Sequence, residues 1–137
     1  MHYTVEDVKL IALPVRNQAL TVMESSNLPL DVKRIFVVKG NEKEIRGHHA
    51  HRQVTQYLVC VHGACEVICD DGSQKKSFQL NVPNQALLIP PGIWAEQTYL
   101  EKDTTLMVAC DALYDEADYI RDYDVFLDFQ RNIPVKY

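Results

Sequence analysis

Seven short apolar runs, nearly all set off by turn residues, decide what this chain can fold into. KRIFVV (33–38) stops before Gly40-Asn41, QYLVCV (56–61) before His62-Gly63, and CEVIC (65–69) before Asp70-Asp71-Gly72. SFQL (77–80) stops before Pro83-Asn84 and ALLI (86–89) before Pro90-Pro91-Gly92; WAEQTYL (94–100) and TTLMVAC (104–110) follow. Runs this short and without helical periodicity are strands, and their spacing points to an antiparallel sandwich or barrel. Asp71-Gly72 is a strong hairpin signal and His62-Gly63 a second candidate. ALTVME (19–24) reads as a further strand.

The end of the chain breaks this pattern. YDEADYIRDYDVFLDFQRN places Tyr119, Tyr123, Phe126 and Gln130 three and four residues apart, which predicts a short helix over about 115–130. Asp115 and Glu116 would sit favourably near its positive end. The expected fold is therefore all-β with one short C-terminal helix. A length of 137 residues suits a single domain spanning 1–137, large enough for a real core.

Charge narrows the function. The net charge is −5 and no run of lysine or arginine exceeds two residues, which argues against nucleic acid or an acidic membrane as partner. No stretch approaches the ~20 apolar residues of a membrane span, and MHYTVEDVKL lacks the basic-then-apolar order of a signal peptide. The expected location is the cytoplasm. Cys60, Cys65, Cys69 and Cys110 have no CxxC spacing and lie among apolar residues, so they read as reduced core thiols.

The stretch RGHHAHRQ holds three histidines in four positions, 48 to 51. On a strand, side chains alternate, so His49 and His51 share one face, roughly 6.6 Å apart along the strand, while His48 points the other way. His48, His62 and His2 read as surface or turn residues. Two imidazoles in a dry cavity titrate near working pH and are able to take and return protons.

HxH, four residues, a polar side chain, six residues and a glycine is the spacing of the first cupin motif, met here by His49, His51, Gln56 and Gly63. Pro90-Pro91-Gly92-Ile93-Trp94-Ala95 resembles the second. The resemblance implies a jelly-roll barrel. Metal-binding cupins place a glutamate where this chain has Gln56 and a third histidine where it has Ala95. Two imidazoles fall short of the three protein ligands that a catalytic metal usually takes, so neither metal nor other cofactor is expected.

Beyond the motifs, RGHHAH, QYLVCVHGACEVICDDG, PPGIWAEQ and YDEADYIRDYD together resemble the nucleotide-sugar 3,4-ketoisomerases, small cupins acting on dTDP-4-keto-6-deoxy-D-glucose. The resemblance runs from about Arg16 to Phe126. It implies that His49 and His51 move the carbonyl from C4 to C3 through an enediol; protons on carbon are assigned to His51 and those on oxygen to His49 as a hypothesis that the sequence does not fix. Arg16 and Arg46, in stretches that resemble the family's, are the candidates to pair with the diphosphate, Gln56 to orient a histidine or a hydroxyl, and Trp94 to cover sugar or base. Phe36 stands where relatives often carry tyrosine. Relatives are homodimers, often exchanging an N-terminal strand, for which residues 2–13 are suited. The expected product would serve a 3-amino-3,6-dideoxyhexose. Two other readings stay open: a metallocupin recruiting Glu66 or Glu96, and a sugar-binding cupin without catalysis.

Overall fold

The computed structural model describes residues 2–24, 26–27 and 31–132. A 3-10 turn at Val5–Asp7 leads into β1 (Lys9–Ala12), and a small hairpin follows from β2 (Val15–Arg16) and β3 (Leu20–Thr21). Eight longer strands make the body: β4 (Arg34–Gly40), β5 (Ile45–His51), β6 (Gln56–His62), β7 (Cys65–Asp70), β8 (Lys75–Leu80), β9 (Gln85–Ile89), β10 (Trp94–Tyr99) and β11 (Thr104–Cys110). A second 3-10 turn at Glu116–Asp118, β12 (Tyr119–Ile120) and α1 (Tyr123–Arg131) close the described chain.

Two antiparallel sheets result, ordered β1-β9-β6-β11-β4 and β12-β5-β10-β7-β8. This is the antiparallel sandwich that the strand pattern called for, in the jelly-roll form that the resemblance implied. Period-2 alternation supplies its core: Leu58, Cys60, Leu106 and Val108 of the first sheet meet Cys65, Val67, Cys69, Ala95 and Tyr99 of the second. The four cysteines are all buried here, and burial raises every thiol pKa, that of Cys65 and Cys69 to about 12. Thiols held protonated in this way are poor nucleophiles.

The hairpin at Asp71-Gly72 is present, joining β7 to β8 with Asp70 opposite Lys75. Asp71 accepts hydrogen bonds from the amides of Ser73 and Gln74 within the turn, and from Val5 at 2.9 Å, which ties the N-terminal turn to this corner. His62-Gly63 is not a hairpin. β6 and β7 lie in different sheets, so the glycine serves a crossover, and a Cβ there would meet Thr104 Oγ1 at 2.5 Å. The strand expected at 19–24 shrinks to two residues, which pair only with β2.

The helix also starts later than its periodicity suggested. Residues 115–122 form the 3-10 turn and β12, because Tyr119 and Ile120 pair with His51 and Ala50 of β5. Asp122 then caps α1 by accepting from the amides of Asp124 and Val125. The helix packs Phe126 against Ala50, Trp94 and Ile120 on the outer face of the second sheet. The N-terminal segment pairs with its own chain, β1 running antiparallel to β9. No helix of the described residues is long and apolar enough to cross a membrane.

Candidate active site

β5 carries the histidines, and its irregularity sets the site. Opposite β10 the register runs Gln97 to Arg46, Glu96 to Gly47, then Ala95 to His49, leaving His48 as an extra residue. The bulge needs left-handed backbone, supplied by Gly47 at φ +93° and His48 at φ +54°. Simple alternation would turn Arg46 away from His49. The bulge instead brings both to the inner face, beside Gln97 and Ala95. His48 is left outside, where Nδ1 pairs with Glu96 Oε1 at 2.8 Å.

The inner face lines a cavity of about 430 Å³, walled by Phe36, Arg46, His49, Gln56, Tyr99 and Arg121 among others. That volume lies in the range of small-molecule sites. His51 lies deeper, 7% exposed, with its ring 5.1 Å from that of His49 and edge-on to it. Tyr119 packs against both imidazoles, 4.4 Å from His51 and 5.1 Å from His49.

Each histidine is held through Nδ1. His51 Nδ1 donates to Asp118 Oδ2 at 2.9 Å, and His49 Nδ1 donates to the carbonyl of Gly47 at 3.0 Å. A carbonyl only accepts, as does an ionised carboxylate, so both neutral rings carry their proton on Nδ1 and keep a bare lone pair at Nε2. The His51 Nε2 is buried and has no protein partner. Burial, with the His51 ring adding to it, lowers the His49 pKa to about 4. Burial also lowers that of His51, against the opposing pull of Asp118. At neutral pH both are uncharged bases.

Two guanidinium groups border the cavity. Arg46 pairs with Glu44 at 2.9 Å. Arg121 grips Glu116 in a two-pronged pair at 2.7 and 3.0 Å and covers the Tyr119 ring at 4.3 Å. That grip holds the Glu116 carboxyl down at about 2. Arg34, half-buried, lies over the Phe36 and Tyr114 rings and donates to the Tyr119 hydroxyl at 3.4 Å.

Of the residues expected from sequence, His49, Arg46 and Gln56 meet at this cavity, while His51, its ring beside that of His49, lines a second, small cavity with Arg34, Asp118 and Tyr119. Gln56 does not orient a histidine; its amide points at Cys110 Sγ, 3.5 Å away. Trp94 faces away, because it sits one residue from Ala95 on β10. It packs edge-on to Tyr123 and against Phe126 beneath α1, as a core residue. Arg16 lies exposed on the β2–β3 hairpin and is not among the residues lining the cavity. Asp118, Tyr119, Arg121 and Arg34 escaped sequence reasoning. The tail holding three of them was conspicuous as YDEADYIRDYD, but its acids read as helix-favouring charges.

The donor set does not fit a metal centre. Ala95 stands opposite His49 without a ligating side chain, and Gln56 is turned to Cys110. Glu66 bonds Ser77 and Gln79 on the outer face, and Glu96 is spent on His48. Among the described residues no group of three or more His, Cys, Asp or Glu side chains is placed to hold a metal.

The jelly roll, its histidine pair and the guanidinium groups at the cavity, together with the relatives it matches, make this protein an enzyme, a cupin-type isomerase. The chain belongs to the FdtA family (WxcM-like, C-terminal), whose model matches residues 1–131. It is 39% identical over 114 residues, 81% of each chain, to the TDP-4-oxo-6-deoxy-alpha-D-glucose-3,4-oxoisomerase of Aneurinibacillus thermoaerophilus. It is similar to the crystal structure of a 3,4-ketoisomerase from Helicobacter canadensis, with 33% identity, a TM-score of 0.88, and 92% of this chain and 98% of that one covered. The sugar 3,4-ketoisomerase QdtA from Thermoanaerobacterium thermosaccharolyticum, solved with TDP, superposes with the same TM-score at 29% identity, covering 93% of this chain and 97% of that one.

Proposed function

We propose that this protein is a TDP-sugar 3,4-ketoisomerase that converts TDP-4-keto-6-deoxy-D-glucose to a TDP-3-keto-6-deoxyhexose by proton transfer between histidines. The observation that carries this reading is the pair of neutral imidazoles, rings 5.1 Å apart, each with Nδ1 fixed and Nε2 bare. His51 Nε2 takes the proton from C3, and the electrons of that bond form the C3–C4 double bond of an enediol ionised at one oxygen. His49 Nε2 takes the proton of the C3 hydroxyl and delivers it to the C4 oxygen. The C3 oxygen then becomes the carbonyl, and C4 takes its proton from His51 Nε2. Atoms and electrons balance within the sugar, so the step calls for neither oxidant nor reductant.

The division of labour follows from what stands behind each ring. A proton on carbon is the harder to remove, and His51 is the ring whose developing charge meets a carboxylate. His49, backed by a carbonyl and lowered to about 4, is the weaker base and suits exchange between oxygens. Arg46 and Arg121 would take the diphosphate, since guanidinium forks match its oxygens. Arg16, on its exposed hairpin, would reach a diphosphate only across a homodimer, which is part of the proposal. The product would be a substrate for amination at C3 on the way to a 3-amino-3,6-dideoxyhexose.

Replacing His49 or His51 singly by asparagine tests the reading. Each variant is expected to keep its melting temperature within a few degrees while turnover falls by at least about 100-fold. A His51→Asn variant of normal rate would sink it.

A further inference from the structure

Asp118 is reached from sequence by no catalytic motif, yet among the described residues no other side chain hydrogen-bonds His51. Its carboxylate is itself fixed. Oδ1 accepts from the amide of Gln53 at 2.7 Å, and Oδ2 lies 3.4 Å from the amide of Val54 while it holds His51 Nδ1. The backbone is fixed too: the Asp118 carbonyl accepts from Arg52 and its amide donates to Asp115. The side chain is 10% exposed. A carboxylate tethered this way has one orientation toward the ring, and water has little room to compete.

We propose that Asp118 is the positioning residue of the reaction: it locks His51 in the tautomer with Nδ1 protonated and Nε2 bare, and it meets the positive charge when Nε2 takes the substrate proton. The inference rests on the ketoisomerase reading and deepens it. Its physical basis is that an ionised carboxylate accepts hydrogen bonds and never donates, so it admits one tautomer of a neutral imidazole. An asparagine in its place presents either an acceptor or a donor, and the choice is lost. The cost of that loss falls on the chemical step. Carboxylate–imidazole pairs of this kind elsewhere act by holding tautomer and orientation and by stabilising the imidazolium.

The surroundings of His51 separate this role from simple electrostatics. The charged and titratable groups around it are His49 on its own strand, Asp118 in the 3-10 turn, Tyr119 on β12, Arg121 beyond it and Arg34 from β4, with Cys110, Tyr114 and Asp115 lining the same small cavity. Both arginines disfavour a proton on the ring, and Asp118 is the carboxylate hydrogen-bonded to it that favours the imidazolium. Tyr119 presses on the ring face and cannot substitute for an in-plane acceptor. The 3-10 turn therefore does more than link β11 to α1; it delivers one carboxylate to one ring nitrogen.

Two measurements test this. In wild-type protein labelled with 15N-histidine, long-range 1H–15N correlation at pH 7.5 is expected to give His51 a protonated Nδ1 and a bare Nε2; a His51 protonated on Nε2 would overturn the proposal whatever any variant does. In Asp118→Asn, kcat for TDP-4-keto-6-deoxyglucose is expected to fall at least about 100-fold. KM should stay within about 3-fold and the acid limb of the kcat profile should move to lower pH. A role in folding alone would lower the melting temperature and leave that limb where it is, which would contradict the proposal. Failure of the reading beneath it is distinct: His51→Asn would then turn over normally. If His51→Asn is inactive and Asp118→Asn runs at the wild-type rate and pH profile, the Asp118 assignment alone is wrong.

Discussion

His49 and His51 are two residues apart and chemically unlike. One is backed by a backbone carbonyl, the other by a carboxylate, and burial lowers both. The lowering of His49 has a consequence for stability. An unfolded histidine takes up a proton near its ordinary value of about 6.5, whereas the folded ring does so only near 4. Between those limits the unfolded chain binds more protons, so stability falls as pH drops from about 6.5 toward 4. The melting temperature of the wild type should therefore fall between pH 7.5 and 5.0 by more than that of His49→Asn. Equal losses in the two proteins would contradict the lowered value. At this scale the sequence was informative where spacing carried the message, as with His49 and His51 on one strand face. It was silent on Asp118, which reaches His51 from 67 positions away. Trp94 misled, since a lone tryptophan beside a Pro-Pro-Gly turn suits a site and a core equally well, and the phase of β10 put it in the core.

Strands were legible because each apolar run was short and bounded by turn residues. What the runs could not reveal was which strands pair, so the crossover at His62-Gly63 looked like a hairpin. The helix boundary failed for a related reason. Acids at 115–118 resemble a helix start, but tertiary pairing of Tyr119 and Ile120 with β5 takes that segment out of the helix. Most informative is the bulge in β5. Reading Arg46 as a cavity residue conflicts with strict alternation from His49, and only an extra residue reconciles the two. Gly47 permits it, at φ +93°, with a Cβ there falling 2.7 Å from the Ala95 carbonyl. Gly47→Ala should cost about 1 to 3 kcal/mol from the strained backbone. It should also raise KM, because Arg46 and His49 would no longer share a face. Unfolding in urea and steady-state kinetics check both parts. A variant with wild-type stability and KM would show the bulge to be dispensable.

Across the whole molecule, the two sheets do separate jobs. The first is a mostly apolar wall, which contributes Phe36, Gln56, Leu58 and Val108 to the cavity. The second carries the histidine strand, held between β10 and the β12 segment of the tail. The tail returns to the barrel to supply Asp118, Tyr119 and Arg121, then seals the outer face with Phe126. Arg46 and Arg121 both line the cavity, so a net charge of −5 leaves it suited to the anionic substrate proposed. The central claim is that this arrangement moves a carbonyl by histidine proton transfer alone. The most direct measurement is a proton NMR time course with EDTA-dialysed protein and TDP-4-keto-6-deoxyglucose in deuterated buffer. The account predicts new 3-keto signals, deuterium at C4, and a rate unchanged by added divalent metal. A substrate that stays intact under chelation and reacts only once metal is restored would contradict it.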